Sequence, residues 1–259
     1  MKLLMFGDVV GECGTQCFRK FAPKLKREYG ADLIVVNGEN SAAGNGITEQ
    51  SSQMLFSGGA DVITTGNHCF RRRCDRIFSN ERILRPANYP EGAPGSGVCL
   101  LDCGRFSLAV INLMGTAFME PLDNPFFVID RLLDEIDTPN ILVDFHAEAT
   151  AEKRAMGWYL AGKVSAVIGT HTHVQTADEE ILIGKTGYLS DAGMCGGAES
   201  VLGVNVRQAV EKQRFHRPVQ FTEAEGPCIL NAVFLEIDSE SGICTKIERI
   251  FIRESTNSG

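Results

Sequence analysis

Val167-Ile-Gly-Thr-His171-Thr-His173-Val-Gln-Thr176 is the stretch on which the reading of this chain turns. An apolar, β-branched run, Ser165-Ala-Val-Ile168, stops at a glycine and is followed by two histidines two residues apart. As a buried strand, the run brings its polar end to the edge of a sheet, and both imidazoles then leave the chain near a shared point. Imidazole is the commonest protein metal ligand. The pair taken alone fits either a metal site or two loop histidines with no task. The placement of the other histidines and carboxylates decides between them.

Working outward, the same pattern recurs. Leu3-Leu-Met-Phe6 predicts a short buried strand ending in Gly7-Asp8, and a helix follows over 15–29 with Phe18, Phe21, Ala22 and Leu25 at spacings of three and four. Asp32 to Asn37 predicts a second strand running into Gly38-Glu39-Asn40. A helix over 48–57 with Thr48 as N-cap comes next, then a strand over 61–64 ending in Thr65-Gly66-Asn67-His68. Three strand–helix repeats in this span imply βαβ units and mainly parallel pairing.

The middle is looser. Arg85 to Gly97 reads as a Pro- and Gly-punctuated loop, Val98–Leu101 and Ser107–Asn112 as a hairpin, and 114–125 as a further loop before a helix over 126–136. A strong strand over 140–145 delivers His146, and residues 150–160 are helical in pattern. Gly187 to Ser190 reads as a strand, Asp191 to Gly197 as a glycine-rich turn, and 228–236 with 242–252 as a closing antiparallel hairpin. No repeat, linker or low-complexity stretch interrupts the 259 residues, so one domain over 1–259 is the expectation.

Composition narrows the function classes. The formal charge of −8 argues against a stable nucleic-acid partner, whose backbone affinity requires a basic face. It does not exclude a small anionic substrate, because bound metal ions reverse a local field. No stretch approaches the length of a membrane helix, and the short run before Asp8 is too brief for a signal-peptide core, so the expected location is the cytoplasm. Nine cysteines, none spaced as C-x-x-C, argue against a zinc knuckle and make reduced thiols the expectation.

Ligands of open α/β sheets gather outside the carboxyl ends of strands. Five predicted strands end at such points in metal-capable side chains: Asp8; Glu39 with Asn40; Asn67 with His68; His146; and His171 with His173. Only His216 of the five histidines lies elsewhere. A lone strand-end Asp or Asn is usually a turn former, but five coincident placements point to a metal centre.

These residues resemble the calcineurin-like metallophosphoesterases, whose G-N-H and G-H-x-H blocks match Gly66-Asn67-His68 and Gly169-Thr-His171-Thr-His173 in order and strand context. The first two blocks depart from that pattern, since Gly7-Asp8-Val-Val lacks the D-x-H histidine and Gly38-Glu39-Asn40 replaces an aspartate block. The departure is similar to the YmdB-type branch, through Gly-Asp-Val-Val-Gly, Asn-Gly-Glu-Asn, Arg-Pro-Ala-Asn, Asp-Phe-His-Ala-Glu-Ala-Thr and Gly-Thr-His-Thr-His-Val-Gln-Thr-Ala-Asp. The resemblance implies a four-layer α/β/β/α sandwich with two mixed sheets, and hydrolysis of 2′,3′-cyclic or 3′,5′-cyclic nucleotides. It implies two metal ions bridged by Glu39. Asp8, Asn40 and His173 complete one ion, Asn67, His146 and His171 the other, and His68 is a non-ligand general acid. Iron or manganese is favoured by oxygen and nitrogen donors without thiolate, and zinc would be accepted.

Two divalent ions against the charges of Asp8 and Glu39 leave a site of about +2, or about +1 with a bridging hydroxide, which attracts a phosphoryl anion. Such a hydroxide attacks phosphorus in line while His68 protonates the departing alkoxide. Cys69 beside His68 is read as either an oxidation-sensitive or a packed thiol. Substrate choice is expected from the loops 85–97, 115–125 and 191–197. Arg85 and Asn88 are weighed there for phosphate and hydroxyl binding against ordinary structural roles.

Three rival readings remain. Amidohydrolases also carry H-x-H, but normally after the first strand of a barrel rather than at residue 171. A phosphomonoesterase or nuclease could use the same site. A regulatory protein could bind metal or nucleotide there with incidental hydrolysis. Homo-oligomerisation is left open by the sequence.

Overall fold

The computed structural model describes residues 1–254. In chain order the elements are β1 (Lys2–Phe6), β2 (Asp8–Val9), α1 (Gly11–Tyr29), β3 (Leu33–Asn37), α2 (Glu49–Ser57), β4 (Val62–Thr64), β5 (Val98–Asp102) and β6 (Ser107–Met114). There follow α3 (Pro125–Glu135), β7 (Ile141–His146), α4 (Thr150–Leu160), β8 (Ala166–Thr170), β9 (Glu180–Leu182), β10 (Thr186–Leu189) and β11 (Met194–Gly197). The chain closes with α5 (Val206–Phe215), β12 (Cys228–Ile237) and β13 (Cys244–Arg253).

Two sheets result. In the first, β1, β3 and β4 are parallel, and β12 lies antiparallel to β1, β11 and β13. In the second, β6, β7, β8 and β10 are parallel neighbours, with β5 and β9 antiparallel at the edges.

Strand alternation sorts the apolar side chains into three cores, because successive residues of a strand face opposite sides of a sheet. Leu3, Met5, Leu33 and Val35 meet Leu108, Val110, Leu142 and Ile168 between the sheets. Leu4, Phe6, Ile34 and Val36 face the other way, against Phe18, Ala22 and Leu25 of α1 and Leu55 of α2. Ile111, Leu113, Val143 and Phe145 face outward on the second sheet, against Val128 and Ile129 of α3 and Met156 and Leu160 of α4. Helix, sheet, sheet and helix therefore stack as four layers, the architecture the motifs imply. Fully buried core side chains such as Phe6 carry it, and truncating one of this size to alanine typically costs about 3–5 kcal/mol.

Local signals agree with these boundaries where chemistry specifies them. Thr48 and Ser51 form a reciprocal capping box on α2. Asn124 caps α3, with Pro125 in its first turn.

Three expectations are corrected. Residues 191–197 are not all turn: Met194–Gly197 form β11, paired with β2 and β12. Its glycines hid the strand from a propensity reading, yet small residues are what the packing requires. A Cβ on Gly197 would lie 3.0 Å from the Ala224 Cβ, and α1 approaches the strand so closely that a Cβ on its Gly14 would lie 2.1 Å from the Cys195 carbonyl oxygen. Helix α5 had no counterpart in the sequence reading, and α1 begins at Gly11 rather than Thr15. Lastly, the expectation of reduced thiols fails at one pair, since Cys13 and Cys228 are joined with their Cα atoms 6.6 Å apart. They are 215 residues apart in sequence, and only the packing of α1 against the end of β12 brings them together. Among the described residues no helix is long and apolar enough to cross a membrane.

Candidate functional site

The carboxyl ends of β1, β3, β4, β7 and β8 converge on one cleft, and the chain approaches itself closely to bring them there. A Cβ on Gly66 would fall 2.2 Å from the His146 ring, and one on Gly7 would fall 2.0 Å from the Gly193 carbonyl oxygen. His171 and His173 adopt φ of 104° and 65°. Side chains other than glycine rarely enter this left-handed region, and such strain clusters at functional sites.

Three histidines present one nitrogen each to the centre because the other is anchored. His146 Nδ1 lies 2.9 Å from Thr170 Oγ1, whose hydroxyl donates to Asp144 Oδ1 at 2.7 Å. The Thr170 oxygen therefore accepts from Nδ1–H, and His146 Nε2 is left facing the centre, a lone pair once its proton is displaced. His173 Nδ1 donates to the Leu202 carbonyl at 3.0 Å, which frees Nε2. His171 Nε2 sits 3.0 Å from Glu148 Oε2, which frees Nδ1. Anchors of this kind orient metal-binding imidazoles.

The freed atoms then crowd together. His146 Nε2 is 3.1 Å from His171 Nδ1, 3.2 Å from Glu39 Oε1 and 3.0 Å from Asn67 Oδ1. Glu39, His146 and His171 can all offer ligand atoms within 4.8 Å of one another. His173 Nε2 lies 3.6 Å from Asp8 Oδ1, a buried carboxylate oxygen that has no hydrogen-bond partner. An orphaned buried carboxylate oxygen is costly unless something binds it. Carboxylate oxygens and imidazole nitrogens gathered this closely, one of them orphaned, have the chemistry of a cation site, and the donor set fits divalent metal ions.

The titration behaviour agrees. Burial would pull the His146 imidazole down, but the charge of Glu39 and its hydrogen bond prevail and raise it to about 9. Burial likewise works against the Glu39 and Asp8 carboxylates, yet the neighbouring imidazoles hold both below the usual carboxylate range. Without a metal the site holds itself together with protons.

All eight residues singled out in the sequence lie in this cleft. His68 stands beside the cluster, its Nδ1 2.8 Å from Asn40 Oδ1 and 3.3 Å from Glu39 Oε1, and its backbone N–H donates to Glu39 Oε2 at 2.9 Å. Asn40 turns its amide nitrogen toward Glu39 Oε1 at 3.1 Å and His173 Nε2 at 3.4 Å. A half-turn of that amide would bring its oxygen to the centre instead.

Arg85 and Asn88 take structural roles. Arg85 Nη1 donates to the Pro86 and Ala87 carbonyls, and Asn88 bridges the backbones of Met114 and Asp123. Cys69 is a packed thiol, buried and pushed up to about 12 by that burial.

Sequence reasoning missed the anchors: Asp144, Thr170, Glu148, and the buried Lys153–Asp191 pair. Asp191 Oδ2 accepts from Thr172 N–H at 3.0 Å and from its hydroxyl at 2.8 Å, which fixes the turn between the two histidines. Asp144 and Glu148 lie two residues either side of His146, and that spacing was the one available signal.

Comparison with known proteins covers nearly the whole chain. A 2′,3′-cyclic-nucleotide 2′-phosphodiesterase of Bacillus subtilis (strain 168) is 45% identical over 258 residues, covering 98% of this chain and 98% of that protein. The crystal structure of a novel phosphatase from Mycoplasma pneumoniae superposes with a TM-score of 0.94 at 33% identity, covering 99% of this chain and 95% of that one. A hypothetical protein from Thermus thermophilus superposes with a TM-score of 0.93 at 38% identity, covering 98% and 100%. A family model described as YmdB-like protein matches residues 4–250, from the first strand to the last. The motifs, the four layers and these matches agree, and the chain belongs to the YmdB-like family.

Proposed function

We propose that this protein is a metal-dependent phosphodiester hydrolase that opens 2′,3′-cyclic nucleotides. The observation that carries the proposal is the convergence of His146 Nε2, His171 Nδ1 and Glu39 Oε1 with the orphaned Asp8 Oδ1, beside a histidine that lines the open cleft. Glu39 would bridge two ions, with Asp8, Asn40 and His173 on one and Asn67, His146 and His171 on the other. Ions in such a site supply Lewis-acid polarisation of the phosphoryl oxygens and a nucleophile from water at neutral pH.

The chain's own residues do the rest. His68 is the general acid: the Asn40 side chain holds its Nδ1 at 2.8 Å, which leaves Nε2 to hand a proton to the departing alkoxide. Help of this kind is typically worth about 10²–10⁴-fold. The 2′,3′-cyclic class is favoured over the 3′,5′-cyclic one by the activity named for the Bacillus subtilis relative. Iron or manganese suits a set of oxygen and nitrogen donors, and zinc is also accepted. A phosphomonoesterase on the same site is the second reading, favoured by the relative described as a phosphatase.

Elemental analysis coupled to hydrolysis of 2′,3′-cyclic AMP, 3′,5′-cyclic AMP and p-nitrophenyl phosphate tests this. About two iron or manganese ions per chain with turnover of the 2′,3′-cyclic diester is the expected result. Turnover of the monoester alone would select the second reading. No metal after reconstitution would overturn both.

A further inference from the structure

One residue at the mouth of the cleft does nothing for the fold. Phe118 is 92% exposed and has a φ of 63°. A bulky residue in the left-handed region is an outlier that persists only when its surroundings hold it there. The surroundings do hold it. Just before Phe118, the Glu152 carboxylate of α4 accepts from the backbone N–H groups of Thr116 at 2.9 Å and Ala117 at 3.3 Å. Asn88 clamps the two ends of the same loop, through Met114 and through the Asp123 carbonyl at 3.0 Å. A mobile surface loop needs no such anchoring. The anchors fix an aromatic ring in solvent.

The space it faces is the cleft. A cavity of about 410 Å³ is lined by Asn67, His68 and His171 of the site together with Arg71, Phe118 and Glu120. That volume suits a mononucleotide-sized ligand, within the roughly 300–1,000 Å³ of small-molecule sites. Arg71 is exposed and forms no ion pair among the described residues. Its neighbour Arg72 does make contacts, binding the Ala43 and Asn45 carbonyls and fixing the segment that presents Arg71. The same cavity therefore offers a free cation for a phosphoryl oxygen and a flat apolar ring. Glu120 in the same lining disfavours a second phosphate, and so a polynucleotide strand.

Resting on the reading of the site as a cyclic-nucleotide hydrolase, we propose that Phe118 is the stacking platform for the nucleobase and that Arg71 holds the phosphoryl end. Together they select nucleotides over small phosphodiesters. Stacking on an aromatic side chain is sequence-tolerant, because every base has a π-face. It therefore predicts preference for a base without strong choice among bases.

The test compares 2′,3′-cyclic AMP with 1-O-methylribose 2′,3′-cyclic phosphate, which has the same reacting ring and no base, on the metal-loaded protein. Phe118→Ala is expected to lower the kcat/KM preference for the nucleotide by about 5- to 150-fold, mainly through KM, and Phe118→Trp is expected to retain it. Arg71→Gln should raise KM for both compounds. An unchanged preference in Phe118→Ala, with wild-type turnover intact, overturns the stacking role and leaves the hydrolase reading standing. Should the wild type turn over neither compound, the hydrolase reading fails, and calorimetric binding of adenosine 3′-phosphate then judges the subsite. Binding lost in Phe118→Ala supports it. Equal binding in both proteins, or none in the wild type, overturns it.

Discussion

Lys153 of α4 is a buried ammonium whose Nζ lies 2.6 Å from Asp191 Oδ2, with side-chain exposures of 3% and 2% for the pair. Lys153→Met preserves the stem but leaves the Asp191 carboxylate with only its bonds to Thr172 and to the Gly193 N–H. Removing one partner of a buried pair typically costs about 3–5 kcal/mol, because the remaining charge stays uncompensated in a medium that solvates it poorly. At this chain length each kcal/mol lowers Tm by about 2–4 °C, so the variant should melt roughly 6–20 °C below the wild type. Asp191→Asn alone strands the ammonium and should cost a similar amount. The double variant removes both charges and should be more stable than the two single losses added together, with a coupling energy of about 2–3 kcal/mol. Urea titrations followed by circular dichroism on the four proteins give that energy directly. The same substitution loosens the turn at Thr172, and losing an outer support of this kind costs about 10- to 100-fold in metal affinity. Additive losses, with coupling below about 0.5 kcal/mol, would refute the reasoning and mean that water reaches the pair.

Other expected outcomes follow from the same geometry. Gly66→Ala places a methyl against the His146 ring and should abolish metal uptake while the secondary structure seen by circular dichroism stays; a fully metallated variant would show that the ring can move aside. Thr170→Val removes the bridge between His146 Nδ1 and Asp144 and should weaken metal binding about 10- to 100-fold in a chelator competition. His68→Ala should lower turnover by about 10²–10⁴-fold with metal content kept, and loss of the metals would remove its role as an acid. In the metal-free protein the His146 imidazole is raised from 6.5 to about 9, so the stability it gains from its carboxylate neighbours is full below pH 6.5 and lost as pH rises through about 9. Metal must displace that proton, so the affinity of the apo-protein should rise with pH up to about 9, and a flat profile between pH 7 and 9 would contradict it.

The cleft was legible because each contributing strand is an apolar run that stops at a glycine or short turn before a polar side chain. Asp8, Glu39, Asn67, His146 and His171 sit at the ends of such runs. The four layers came from the resemblance, and the residues themselves showed only buried strands. Leu3 and Met5 against Leu4 and Phe6 show apolar residues on both faces of a strand, which only a sheet covered on both sides can bury.

What the sequence determined alone was therefore local. It set the period of each run, the residue at which the run ends, and the chemical type of the side chain delivered there. What the tertiary structure decided is which partners those side chains meet. The lone pairs of His146, His171 and His173 face inward only because Thr170, Glu148 and the Leu202 carbonyl, from three separate segments, hold their other nitrogens. The Lys153–Asp191 pair, the Cys13–Cys228 bond, and the Glu152 and Asn88 anchors under Phe118 likewise join residues far apart in the chain. Periodicity records how a residue relates to its own strand or helix. A contact between distant segments depends on how those elements pack, and no local pattern carries it.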